Sequence, residues 1–229
     1  EDIENMRKHI STYNVISEKD ILDIVNGKQT KIDAEKEVLV YSVSGKPIKS
    51  RSNNQQMLVD AFNKNDMVFA VGPAGTGKTY LSIALAVKSL KAKEVKKIIL
   101  SRPAVEAGEK LGFLPGDMKE KIDPYLQPLY DSLEDMIPAV KLQDMVDKHI
   151  IQIAPLAFMR GRTLNDAIII LDEAQNTSTA QIRMFLTRLG MNSKMIITGD
   201  LTQIDLPYHQ KSGLKEAVEI LNDTEGIAI

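Results

Sequence analysis

Apolar residues recur along this chain in two alternating rhythms. Short, nearly continuous runs rich in branched side chains occur at Met67–Val71, Lys97–Ser101, His149–Ile153, Ala167–Leu171 and Lys194–Thr198. Runs of that length and composition predict strands buried on both faces. Between them, apolar positions spaced three and four apart predict helices near 53–63, 78–92, 118–147, 178–189 and 213–222, the third interrupted by Pro124, Pro128 and Pro138. Strands alternating with helices predict an α/β fold, a parallel sheet with helices on both faces. Ligands of such sheets bind at the carboxyl ends of the strands, so the informative residues should follow the runs.

Residues 1–50 stand apart from this alternation. Ser17-Glu18-Lys19-Asp20 has the character of a capping box, with Asp in place of the usual Glu or Gln, and Gly27 supplies a stop. A short helix over 18–26 follows. Glu37–Val43 alternates as a strand does, and Ser44-Gly45-Lys46-Pro47 reads as a turn. The expected organisation is a small helix-plus-hairpin appendage over 1–50 and one larger domain over 51–229. The chain opens at Glu1 and closes on Gly226-Ile227-Ala228-Ile229, which looks like a strand cut short, so a fragment trimmed at both ends is expected.

Composition narrows the classes. A chain of 229 residues holds one large α/β domain and a small addition, not two nucleotide-binding lobes. A formal charge of −2 supplies no global basic field, so any nucleic-acid contact must come from a local patch. The chain has no cysteine, which excludes disulfides and thiolate metal sites and fits a reducing, cytoplasmic setting. No apolar run approaches the ~20 residues that span a bilayer.

The first strong chemical signal follows the Met67–Val71 run. Gly72-Pro73-Ala74-Gly75-Thr76-Gly77-Lys78-Thr79 matches G-x-x-x-x-G-K-[ST], the phosphate-cradling P-loop. Glycines let backbone N–H groups turn around a triphosphate, and the helix that follows adds partial positive charge. Lys78 is expected at the β- and γ-phosphates, and the Thr79 hydroxyl on Mg²⁺. A chance match in this length is roughly one in a hundred.

The second signal is Ile168–Thr177, IIILDEAQNT, an apolar run that ends in two adjacent carboxylates. Beside a P-loop, Asp172 is placed to complete the Mg²⁺ site, and Glu173 to orient a water and accept its proton. The paired acids favour ATP hydrolysis over transfer to a small molecule. A guanine-reading pattern, Asn63-Lys64-Asn65-Asp66, is also present, but it precedes the P-loop strand and falls at the wrong end of the sheet.

Further polar groups close the set. Thr198 or Gln203, within Lys194–Asp205, is expected to sense the γ-phosphate. Gln55, one helix and one strand before the P-loop, offers an amide that can pair with adenine N6 and N7 and so choose the base. Together these elements resemble superfamily-1 helicase motor cores. More specifically, the stretch from about 50 to 229 resembles the PhoH-like family of bacterial ATPases. The segments that carry it are GPAGTGKTYLSIALAV, SRPAVEAGEKLGFLPGDMKEKIDPYLQPLYD, IAPLAFMRGRTLNDAIIILDEAQN, RMFLTRLG and TGDLTQIDLP.

The resemblance implies a RecA-like P-loop fold, ATP binding and hydrolysis, and an RNA-related role such as unwinding or ribosomal RNA maturation beside an endoribonuclease. It also implies ring-like homo-oligomers. Members continue past the last core strand into a segment holding an arginine, whereas this sequence stops at Ile229. Arg183 and Arg188 are alternatives that could serve a neighbouring subunit. For RNA, the candidates are Arg102, Arg160, Arg162 and the glycine-rich loop 106–116. The rival to an RNA-linked motor is a nucleotide-dependent switch that recruits a partner without unwinding.

Overall fold

The computed structural model describes residues 37–103, 118–207 and 209–229. The expected helix over 18–26 and the loop 106–116 lie outside them. Two short antiparallel strands come first, β1 (Val40–Tyr41) and β2 (Pro47–Ile48). Then follow α1 (Asn53–Lys64), β3 (Met67–Val71), α2 (Lys78–Lys91), β4 (Lys97–Arg102), α3 (Met118–Glu134) and α4 (Ala139–Asp147). The remainder is β5 (Ile151–Pro155), β6 (Ala167–Leu171), α5 (Thr179–Leu186), β7 (Lys194–Gly199), α6 (Gly213–Leu221) and β8 (Ile227–Ala228). Short 3₁₀ turns occupy Leu156–Met159 and Ala174–Asn176.

Six of the strands form one parallel sheet in the order β5-β4-β6-β7-β3-β8. β7 lies between the strand that leads into the P-loop and the strand that leads into the acid pair. Its register sets Thr198 beside Ala70, Gly199 beside Val71 and Ile197 beside Leu171. The carboxyl ends of β3, β7 and β6 therefore open side by side. This is the RecA-like P-loop arrangement, and it explains why chemistry separated by a hundred positions in sequence gathers at one edge.

The sheet is buried on both faces, and the period of two sorts its residues. Val68, Ile98, Leu100, Ile168, Ile170 and Ile196 point into one core with α1, α2, α3 and α4. Phe69, Ile99, Ile169, Leu171, Met195 and Ile197 point into the other, with Phe185 of α5 and Leu214 of α6. All five residues of β6 are buried, which is why that strand has no polar alternation. Each such Ile or Leu contributes about 1.5–3 kcal/mol relative to exposure. Leu39, Val40 and Ile48 of the hairpin join the first core, and Val43 N–H donates to the Asp135 carbonyl at 2.7 Å.

Four boundaries differ from the sequence pattern, the first being the strand expected over Glu37–Val43, which is confined to Val40–Tyr41. The helix expected over 118–147 is two helices, parted at Pro138, which caps α4 with φ −53° and ψ 137°. Pro124 and Pro128 do not break α3; the buried Leu126, Leu129 and Leu133 hold it on the sheet. β5 starts at Ile151, not His149, because His149 has φ 55° and closes the turn after α4. α5 ends at Leu186, where Arg188 N–H bonds the Phe185 carbonyl and tightens the last turn.

Candidate functional site

The P-loop joins β3 to α2. Gly75 and Gly77 take φ of 74° and 80°, a region costly for any residue with a Cβ. Gly77 is also the N-cap of α2, which carries no side-chain cap, so the first N–H groups of that helix remain available to an anion. Lys78 Nζ lies within the curl of the loop, donating to the carbonyls of Gly72 at 2.6 Å and Pro73 at 2.7 Å. A phosphate in the loop would compete with those carbonyls for the same ammonium.

At the end of β6 the two carboxylates are partnered on every side. Thr79 and Thr198 hydroxyls both donate to Asp172 Oδ1 at 2.6 Å. Asp172 is only 4% exposed, and such a charge needs these partners. Glu173 adopts φ 54°, left-handed for a residue with a side chain and a strain of about 1–3 kcal/mol. That turn brings its carboxylate to the same cation as its neighbour. Arg102, from the end of β4, sets Nε 3.5 Å from Asp172 Oδ2 and Nη2 2.9 Å from Glu173 Oε1. Gln175 Nε2 donates to Glu173 Oε2.

A third layer ties the acids back to the P-loop. Asp200 Oδ2 accepts the Ala74 N–H at 2.9 Å, while Oδ1 accepts the Thr202 hydroxyl at 2.6 Å and its N–H at 2.9 Å. The Thr202 bonds, with the Ala74 N–H and the Lys78 charge behind them, hold the Asp200 carboxyl below the usual carboxylate range. Asp200 N–H in turn donates to Gln175 Oε1 at 3.0 Å. A continuous path therefore runs from the loop through Asp200 and Gln175 to Glu173 and Arg102.

These groups line a cleft of about 270 Å³ that includes Lys78, Thr79, Arg102, Asp172, Glu173 and Gln203. The Thr79 hydroxyl and Asp172 carboxylate are hard oxygen donors of the kind Mg²⁺ takes. Among the described residues, no group of three His, Cys, Asp or Glu could hold an ion unaided. The donor set thus fits a cation held jointly with phosphate oxygens and water.

Other expected residues lie differently. Gln55 reaches the P-loop, but its amide is occupied at both ends: Nε2 donates to the Thr76 carbonyl at 2.9 Å and Oε1 accepts Arg51 N–H at 2.7 Å. Thr198 is 1% exposed and bound to Asp172, leaving Gln203 as the member of that pair that lines the cleft. Asn63 and Asp66 line a separate hollow at the amino ends of the strands, together with Lys194. Arg188 is bonded to the Met184 and Arg162 carbonyls, and Arg162 to Gln152. Arg160 and Arg183 are exposed. Arg102, expected on a nucleic-acid path, is instead the counter-ion of the acid pair. Nothing local in the sequence marks Gln175 or Asp200 for the site, although they stand four residues past the end of β6 and one past the end of β7, strands that open on it.

Residues 47–229 match the family described as PhoH-like protein. A PhoH-like protein of Bacillus subtilis is 54% identical over 93% of this chain and 69% of its own length. One from Mycobacterium tuberculosis is 58% identical over 83% of this chain and 54% of its own. Protein PhoH of Escherichia coli is 46% identical over 80% of this chain and 52% of its own. The chain thus spans about half the length of the last two. A solved chain described as "Sulfolobus solfataricus SWI2/SNF2 ATPase core in complex with dsDNA" aligns over 64% of this chain and 30% of that one, with TM-score 0.42 and 17% identity. That likeness is too slight to carry an argument.

Proposed function

The chain belongs to the PhoH-like protein family, and we propose that it binds ATP with Mg²⁺ and hydrolyses it to ADP and phosphate. The observation that carries the proposal is the 2.6 Å bond between Thr79 of the P-loop and Asp172, with Glu173 next in the chain. A Mg²⁺ ion in this setting would neutralise charge on the β- and γ-phosphates. Thr79 and Asp172 would hold it, and Lys78 would exchange its loop carbonyls for phosphate oxygens. Glu173 would take a proton from water as the water oxygen bonds to the γ-phosphorus and the bond to the departing ADP oxygen breaks. Gln203, lining the same cleft, would report the γ-phosphate, and Gln55 would choose the base by exchanging its Thr76 and Arg51 partners for adenine N6 and N7. Hydrolysis measured with the wild type, Lys78→Ala and Glu173→Gln tests these roles.

We also propose that hydrolysis is coupled to RNA, in an oligomer and beside an endoribonuclease, as the family resemblance implies. Phe158, 62% exposed on the turn that leaves β5, and exposed Arg160 two residues on, supply an aromatic face and a cation of the kind single strands use. The alternative is a nucleotide-dependent switch without unwinding. It is supported by Glu173 having both oxygens engaged, by Arg102 and by Gln175. An ATPase rate that single-stranded RNA leaves unchanged would favour the switch.

A further inference from the structure

Asp172 and Glu173 bring two negative charges into a site that, on the reading above, also receives a polyanion. In the structure one group answers both. The Arg102 guanidinium divides its fork among Asp172 Oδ2 at 3.5 Å, Glu173 Oε1 at 2.9 Å and the Tyr125 carbonyl of α3 at 2.9 Å. The Arg102 side chain is 19% exposed and that of Asp172 5%, so this arm is shielded from bulk water and poorly screened by salt, whereas Glu173, 36% exposed, keeps one side open to solvent. A planar fork cannot leave one of these acceptors without straining its hold on the others.

We propose that Arg102 is a positioning residue that supplies the acid pair's counter-charge until a nucleotide-borne divalent cation takes over that role. The inference rests on the nucleotide-and-cation function proposed above. A dication beside Asp172 replaces the charge Arg102 provides there and repels the guanidinium. Release from Asp172 loosens the bonds to Glu173 and Tyr125 together. Glu173 is then uncovered on its Oε1 side, while Gln175 keeps its orientation through Oε2. Cation arrival is thereby linked both to freeing the base and to the end of a contact with α3.

Two measurements on wild type, Arg102→Gln, Arg102→Lys, Glu173→Gln and the Arg102→Gln/Glu173→Gln double variant test this. The first is melting temperature without nucleotide or divalent cation. Arg102→Gln should melt below wild type, and adding Glu173→Gln should recover part of the loss, because it removes a charge left unpaired. Strictly additive shifts would overturn the proposal, and this result does not depend on nucleotide binding.

The second is affinity for a fluorescent ATP analogue with Mg²⁺ and with EDTA. In Arg102→Gln the ratio of the two dissociation constants should rise about tenfold or more over wild type, because the metal-free nucleotide meets two uncompensated carboxylates. Arg102→Lys should restore most of the wild-type ratio. A ratio unchanged in Arg102→Gln would overturn the exchange, whereas a purely structural arginine would weaken both affinities alike. If wild type binds no nucleotide in either buffer, the proposed function and the exchange built on it both fall. Intact Mg²⁺-ATP binding with an unmoved ratio sinks the exchange alone.

Discussion

The Thr79 hydroxyl donates to Asp172 Oδ1 at 2.6 Å, joining the first turn of α2 to the end of β6 across 93 positions of sequence. β7 makes this possible by lying between the two strands and adding the Thr198 hydroxyl to the same oxygen. If this pair holds the cation, Thr79→Val should keep the shape and lose the ligand. Mg²⁺-dependent hydrolysis should fall by about 100-fold, equivalent to ~2.7 kcal/mol at the transition state. Thr79→Ser should retain most of the rate. A Mg²⁺ titration of all three proteins checks the assignment.

Gly199 ends β7 where the 174–176 turn and α6 close on the sheet. A Cβ there would stand 2.4 Å from Leu214 Cδ2 and 3.0 Å from Gln175 Oε1. Both neighbours are buried, so neither can move away into solvent. Gly199→Ala should therefore destabilise the fold by about 1–3 kcal/mol, read as a lower midpoint in urea. Because Gln175 orients Glu173, the ATPase rate should fall further than the stability loss explains.

Tyr80 offers a test, in pH, of the contact between α2 and the turn that follows α3. Its hydroxyl donates to Asp135, and burial together with that bond pushes its pKa up to about 12. An unfolded tyrosine loses its proton near 10. The folded state thus binds more protons between the two values, and the contribution is fully present below pH ~10 and lost as pH rises toward 12. Thermal melts from pH 9 to 11 should decline for wild type and decline less for Tyr80→Phe. Parallel curves would contradict the assignment.

The strands that carry the site could be read from the sequence because they are buried on both faces. Met67–Val71 and Ala167–Leu171 begin and end where the apolar runs do. The P-loop was equally legible, since its glycines and Lys78 answer to one local geometry. What sequence did not convey were bonds between distant positions. Arg102 looks like any basic residue after a strand until β4 and β6 pair in register and set it against Glu173, 71 positions away. Asp200 binds the Ala74 N–H across 126 positions, and no local pattern announces such a partner. The run through Pro124 and Pro128 was hidden for the opposite reason: local propensity argued for a break, and packing of Leu126, Leu129 and Leu133 prevailed.

The water-activating role proposed for Glu173 is the step on which hydrolysis in this site depends. Steady-state ATP hydrolysis by Glu173→Gln, measured alongside its affinity for Mg²⁺-ATP, tests it most directly. Binding should stay within a few-fold of wild type while turnover falls by about 10²–10⁴-fold, the scale of a lost general base. Lys78→Ala should instead lose binding itself. Normal turnover by Glu173→Gln would contradict the account.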